Sequence, residues 1–303
     1  MIKTPPYLEK GDTIGIICPS GYMAAEKITE CVRVLQEEWG FVVKMGKTPG
    51  GNSPTYFSGT DDERLNDLQQ MLDDDTVKAV FCARGGYGMT RIIDRIDFKK
   101  FKKQPKWIIG YSDITLLHSH IYSNYYISSI HAPMASAFND AGYVNRFVQS
   151  WRNAVEGKKI RYECDAHEFN TKGEGIGELV GGNLSLLVHA IGTDSDIKTK
   201  GRILFVEDIG EYYYSIDRMF YQLKRSGKLK NLAGLIIGGF TDMKDTERPF
   251  GNDAYGIIHD LVKEYDYPIC FGFPVSHEKE NYALKIGVGY KLKVGKSKVV
   301  LEE

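Results

Sequence analysis

Ser112 lies in the string Gly110-Tyr111-Ser112-Asp113, between a short apolar run, Trp107 to Gly110, and a segment with helical spacing that starts at Ile114. A serine on a strand–turn–helix is lifted out of the sheet, and the next backbone N–H falls at a helix N-terminus, where negative charge is favoured. That arrangement suits a nucleophile attacking a carbonyl. The string lacks the second glycine of Gly-x-Ser-x-Gly, however, and a plain helix cap by Ser112 or Asp113 fits the same letters. The loop Arg84-Gly85-Gly86-Tyr87-Gly88 also follows an apolar run. Paired glycines let backbone amides approach a ligand oxygen, as one arm of an oxyanion hole does. A simple turn and a phosphate loop compete with that reading. The Lys-Ser/Thr of a P-loop is absent, and the spacing departs from Gly-x-Gly-x-x-Gly.

A serine nucleophile needs a base, and the chain has seven histidines. His118 and His120 fall on the helix after Ser112; six steps of ~100° carry His118 well around that helix, which marks it as packing or surface. His189 sits in the apolar stretch Leu184 to Ile191 and reads as a core histidine. His131, before Pro133, stays open. His277 is the best placed, in Phe273-Pro274-Val275-Ser276-His277-Glu278 just after the apolar run Ile269 to Phe273. Glu207 and Asp208 end the run Ile203 to Val206. Serine, acid and histidine therefore each fall at the carboxyl end of an expected strand, where open α/β sheets build their sites. The residues alone leave Glu207 and Asp208 both open as the acid.

The elements that must hold these residues alternate short apolar runs with helix-period segments, the pattern of a parallel sheet covered by helices. Strands are expected at 13–18, 41–45, 77–83 and 107–110, then at 203–206, 234–237 and 269–273. Thr60-Asp61-Asp62-Glu63 has the form of a capping box opening a helix through Leu65, Leu68 and Leu72. Between about 139 and 178 the pattern weakens and turns polar, and the boundary between two domains is drawn there, giving 1–165 and 166–303. The tail, 284–288, 291–294 and 298–301, alternates like antiparallel strands. The expected fold is α/β: an N-terminal parallel-sheet domain carrying the serine, and a smaller C-terminal α/β domain with antiparallel strands.

Bulk properties remove several function classes. A formal net charge of -1 offers no footprint for nucleic acid. The five cysteines are scattered among apolar neighbours without metal-ligand spacing, which suits reduced core thiols and predicts no metal site. The longest apolar run, around Leu232 to Phe240, is too short to span a bilayer, and residues 1–6 do not resemble a signal peptide. A cytoplasmic protein is expected.

The strings Ala83-Arg84-Gly85-Gly86-Tyr87-Gly88, Gly110-Tyr111-Ser112-Asp113-Ile114-Thr115, Gly181-Gly182-Asn183-Leu184-Ser185 and Phe205-Val206-Glu207-Asp208 resemble those of the LD-carboxypeptidases. So do Ile216-Asp217-Arg218-Met219 and Gly272-Phe273-Pro274-Val275-Ser276-His277, with Ser276 standing where the family pattern has glycine. The likeness runs from about residue 10 to 295. It implies Ser112 as nucleophile, His277 as base and Glu207 as the acid, with the Gly86 and Asp113 amides as oxyanion donors and no cofactor. It further implies a murein tetrapeptide cut before its terminal D-alanine during cell-wall recycling. Arg84 is then the candidate anchor for the free carboxylate, since arginine matches carboxylates bidentately, with a structural ion pair as its other reading. The partner is a small peptide, with neither nucleic acid nor membrane, and a homodimer stays open. The alternatives are a microcin C-type immunity peptidase acting on peptidyl or aminoacyl nucleotides, whose aromatic surface Tyr212 to Tyr214 could supply, and a non-catalytic phosphate- or nucleotide-binding module.

Overall fold

A computed structural model describes residues 2–303 and divides the chain into two compact units. One runs to Lys158 and takes in Tyr282–Lys285; the other comprises Lys159–Asn281 and Ile286–Glu303.

In the first unit strands alternate with helices: β1 (Thr13–Ile17), α1 (Glu26–Arg33), β2 (Val42–Met45), α2 (Asp61–Asp73), β3 (Val77–Cys82), α3 (Lys99–Lys103), β4 (Trp107–Gly110), α4 (Thr115–Tyr125), β5 (Ser129–His131) and α5 (Arg146–Val155). The strands pair in parallel in the order β2-β1-β3-β4-β5. Every residue of β4 is buried, as expected of a central parallel strand covered by helices on both faces. The chain leaves β1 to one side for β2 and to the other for β3, so the loops after β1 and β3 flank a switch point, the place where open α/β sheets bind ligands. The capping box forms: Thr60 Oγ1 accepts from the Glu63 amide at 3.2 Å while Glu63 Oε2 accepts from the Thr60 amide at 2.7 Å. The polar stretch expected after 139 instead begins with a core helix. α5 buries Phe147, Trp151 and Val155, and Trp151 packs at 5.1 Å from Trp39 and 5.4 Å from Phe81.

The second unit holds β6 (Arg161–Asp165), β7 (Gly173–Asn183), α6 (Leu184–His189), β8 (Ile203–Ile209), α7 (Tyr213–Arg225), β9 (Gly234–Thr241), α8 (Ala254–Val262) and β10 (Ile269–Phe271). After them come β11 (Leu284–Ile286), β12 (Gly289–Val294) and β13 (Lys298–Glu302). The second sheet runs β10-β9-β8-β7-β12-β13-β6, parallel from β7 to β10 and antiparallel through β12, β13 and β6. β7 serves both regimes: Gly173 to Glu178 pair with β12 and Leu179 to Asn183 with β8. The tail departs from its expected pattern in one strand, because β11 joins β5 in the first sheet and leaves only β12 and β13 as the antiparallel pair.

β7 escaped the sequence reading because its first half alternates glycine with Glu174, Ile176 and Glu178, so one face has no side chains to register as apolar. The glycine is required at 175, where a Cβ would lie 1.8 Å from the Ala233 carbonyl oxygen. Gly175→Ala is therefore expected to destabilise the protein by about 2–4 kcal/mol, read from the shift in denaturant midpoint, well beyond an ordinary surface substitution. A midpoint within about 0.5 kcal/mol of the parent would refute that close approach.

Candidate active site

β4 leads directly into Tyr111, which is extended (φ −149°, ψ −167°), and then into Ser112 at φ +61°. A non-glycine residue in this left-handed region carries about 1–2 kcal/mol of strain, which persists only where the surroundings impose it. Asp113 follows within the helical turn Ser112–Ile114 that opens α4, so its N–H belongs to a first turn without intrahelical acceptors. Strained serine, preceding strand and following helix together make the geometry of a nucleophile elbow.

The glycine-rich loop after β3 comes against this serine. A Cβ on Gly85 would stand 3.0 Å from Ser112 Cβ and 3.2 Å from its Oγ, so only glycine lets the loop lie there. Gly86 turns at φ +97° and is exposed, and among the described residues its N–H donates to no protein acceptor. The Asp113 carboxyl points away from solvent and is fully buried. Its Oδ2 accepts from Ser20 Oγ at 2.5 Å and from the Met89 amide at 2.8 Å. Burial pushes its pKa above the ordinary carboxylate value, although both hydrogen bonds pull the other way.

In the second unit Glu207, on β8, is fully buried, and its Oε2 lies 2.5 Å from Nδ1 of His277 in the loop after β10. A carboxylate only accepts, so Nδ1 carries the proton and Nε2 is left as the acceptor of the neutral ring. Burial lowers the imidazole pKa. The Glu207 charge and hydrogen bond, joined by the Asp208 charge, outweigh that and hold it above its ordinary 6.5. Asp208 faces elsewhere. Its Oδ1 accepts from Asn183 Nδ2 (2.8 Å) and the Ile209 amide (2.9 Å), and its Oδ2 from the Ser185 amide (3.0 Å). Burial, then the neighbouring Glu207, pushes this carboxyl up to about 7. Of the two carboxylates that the sequence left open, Glu207 meets the imidazole and Asp208 fastens the β7–α6 junction. Ser276 closes the histidine loop by donating to the Glu280 carbonyl and accepting from the Glu278 amide, both at 3.0 Å. No positive φ is demanded of it, so serine serves where glycine was expected.

The other candidates separate cleanly. Arg84 is exposed and makes no ion pair with any described residue, so the structural ion-pair reading fails. His118 is buried, donates Nε2 to the Gly110 carbonyl at 2.9 Å and is pushed down to about 4 by burial, a packing residue. His131 is buried against the Tyr111 ring at 5.5 Å. His189 overturns its expectation: α6 is only six residues long, and His189 sits exposed on its last turn, bonded to the Ser185 carbonyl. Cys18, Cys31, Cys82 and Cys270 are buried thiols and Cys164 is partly so. No described helix is long and apolar enough to cross a membrane. Sequence reasoning missed Ser20, which follows β1 as Ser112 follows β4, and the buried Arg64; neither has a local signature beyond its place after a strand or in a helix.

The chain matches the LD-carboxypeptidase N-terminal domain over residues 14–132 and the LD-carboxypeptidase C-terminal domain over residues 176–292. It is 38% identical to the probable murein peptide carboxypeptidase of Bacillus subtilis (strain 168), an alignment covering 98% of this chain and 94% of that protein. To the microcin C7 self-immunity protein of Escherichia coli it is 26% identical, over 95% and 93%. The crystal structure of muramoyltetrapeptide carboxypeptidase from Oxalobacter formigenes superposes with a TM-score of 0.85 at 28% identity, covering 96% of this chain and 98% of that one. With both halves matched and a relative of that identity along nearly its full length, the chain belongs to the LD-carboxypeptidase family.

Proposed function

We propose that the protein removes the terminal D-alanine from murein tetrapeptide in the cytoplasm, through a Ser112–His277–Glu207 triad. The buried Glu207–His277 pair carries this reading, because it fixes the one imidazole tautomer that can take a proton from a serine. His277 removes the Ser112 proton as Ser112 Oγ attacks the carbonyl of the L-centre. Glu207 holds the ring and stabilises its charged form. The Gly86 and Asp113 amides receive the developing oxyanion, a contribution of roughly 3–4 kcal/mol at most per donor. The imidazolium then gives its proton to the leaving D-alanine amine, and water frees the acyl-enzyme by the same steps in reverse order. Arg84, exposed and unpaired, receives the free terminal carboxylate. The full-length relative named for murein peptides is more similar to this chain than the self-immunity relative, which favours a peptide over a nucleotide conjugate.

Incubation with murein tetrapeptide should release free D-alanine. Ser112→Ala should fold and lose about 10⁴–10⁶ in kcat, His277→Ala nearly as much, and the double variant little more, since the two act as one unit. Additive losses, or an active Ser112→Ala protein, would reject the triad.

Glu207→Gln should cut kcat strongly and Asp208→Asn much less. The general base works as the neutral ring, so kcat/KM should fall with decreasing pH through a pKa above 6.5. Removing the Glu207 charge takes away the main influence raising that pKa, so the acidic limb of the Glu207→Gln profile should move to lower pH. A limb that stays put would show that Glu207 does not act on the titrating group.

A tetrapeptide amidated at its C-terminus should lose about 2–5 kcal/mol in kcat/KM relative to the free acid. Arg84→Ala should narrow that gap. Equal rates for acid and amide in the parent protein would dismiss the carboxylate anchor and leave the triad standing.

A further inference from the structure

Arg64 lies in the first turn of α2 with no solvent exposure. Its Nη1 donates to the Pro19 carbonyl at 2.6 Å and to the Gly88 carbonyl at 3.1 Å; Nη2 pairs with Asp61, and the guanidinium stands 4.9 Å over the Phe57 ring. Nε finds no partner among the described residues, so the group is buried at the expense of one unsatisfied donor. Nothing about α2 requires this, since an apolar side chain would pack at the position without desolvating a charge.

The two carbonyls explain the residue. Pro19 and Gly88 belong to the loops after β1 and β3, and the residue following each of them is held by Asp113. Ser20 Oγ and the Met89 amide both donate to its Oδ2. The loops are thus clamped at adjacent positions between a buried cation that takes their carbonyls and a buried carboxyl that takes their donors. The loop after β1 passes the constraint on, because the Gly21 amide donates to the Gly85 carbonyl at 2.9 Å, and Gly85 is the residue lying against Ser112.

We propose that Arg64 is a positioning residue for the reaction at Ser112. It holds the loops after β1 and β3 in register with Asp113 and so sets where the Gly85–Gly86 backbone lies relative to the serine hydroxyl. This inference rests on the serine mechanism proposed above. It assigns the guanidinium no contact with substrate, so its loss should act on the chemical step and spare binding.

Arg64→Met keeps an unbranched apolar stem at the position but removes the guanidinium over Phe57 and with it every donor. With concentrations corrected for folded protein by circular dichroism, its kcat on the tetrapeptide should fall about 10²-fold while KM stays within about threefold. Phosphonylation of Ser112 by a fluorophosphonate should slow in parallel. Arg64→Lys, which restores a cationic donor near the two carbonyls, should recover part of the loss. If Arg64→Met does not fold, Ser20→Ala, which leaves the guanidinium in place, should lower kcat about 5–10-fold at unchanged KM. An unchanged kcat in whichever variant folds overturns the proposal, and so does a lysine variant no better than the methionine one. Ser112→Ala is measured alongside. If it is inactive while Arg64→Met is undiminished, this inference alone falls; if it remains active, the serine mechanism falls and takes the inference with it.

Discussion

A carboxyl cut off from water seeks donors from its own chain, and in each unit the placement of the proposed catalytic group follows from meeting that demand. In the first unit the carboxyl is Asp113, one residue after the serine, and its Oδ2 takes donors from loops arriving from two other strands. In the second unit Glu207 and Asp208 leave adjacent positions of β8 on opposite sides. One meets an imidazole through Oε2, the other takes donors at the start of α6. Asp113 and Asp208, the sequence neighbours of Ser112 and Glu207, are therefore anchors, and the proposed catalytic side chains are placed by what their neighbours bind.

The same demand accounts for the strain at Ser112. A left-handed serine would relax into an ordinary turn if the residue after it were free. With Asp113 fixed by Ser20 and Met89, and Gly85 pressed against the serine from the other side, relaxation would break buried hydrogen bonds for a gain of about 1–2 kcal/mol, so the turn stays as built.

Legibility from sequence followed the physics of each signal. Central strands such as Trp107–Gly110 were plain because burial on both faces leaves an unbroken apolar run. The capping box at Thr60 was plain because its two partners lie three residues apart. β7 was hidden because glycine leaves no hydrophobic period. His189 was misjudged because apolar neighbours in a helix too short to complete a face say little about which way one side chain points. Ser112, Glu207 and His277 could be picked out as strand-end residues. The choice between Glu207 and Asp208 could not be made from the residues, since it depends on which face of β8 meets a loop some 70 positions on. Arg64 and Ser20 were invisible for the same reason: their partners are 45 and 93 residues distant.

β11 has a consequence for how such a chain can arise and be cut. After the histidine loop the chain does not finish the second unit. It first lays residues 284–286 along the edge of the other unit's sheet, and only then supplies the β12–β13 hairpin. A break at the histidine loop would strip an edge strand from one unit and a hairpin from the other in a single event. Neither unit is a self-contained cassette that could be shuffled, duplicated or lost alone. The order of its segments is interlocked by its own tail.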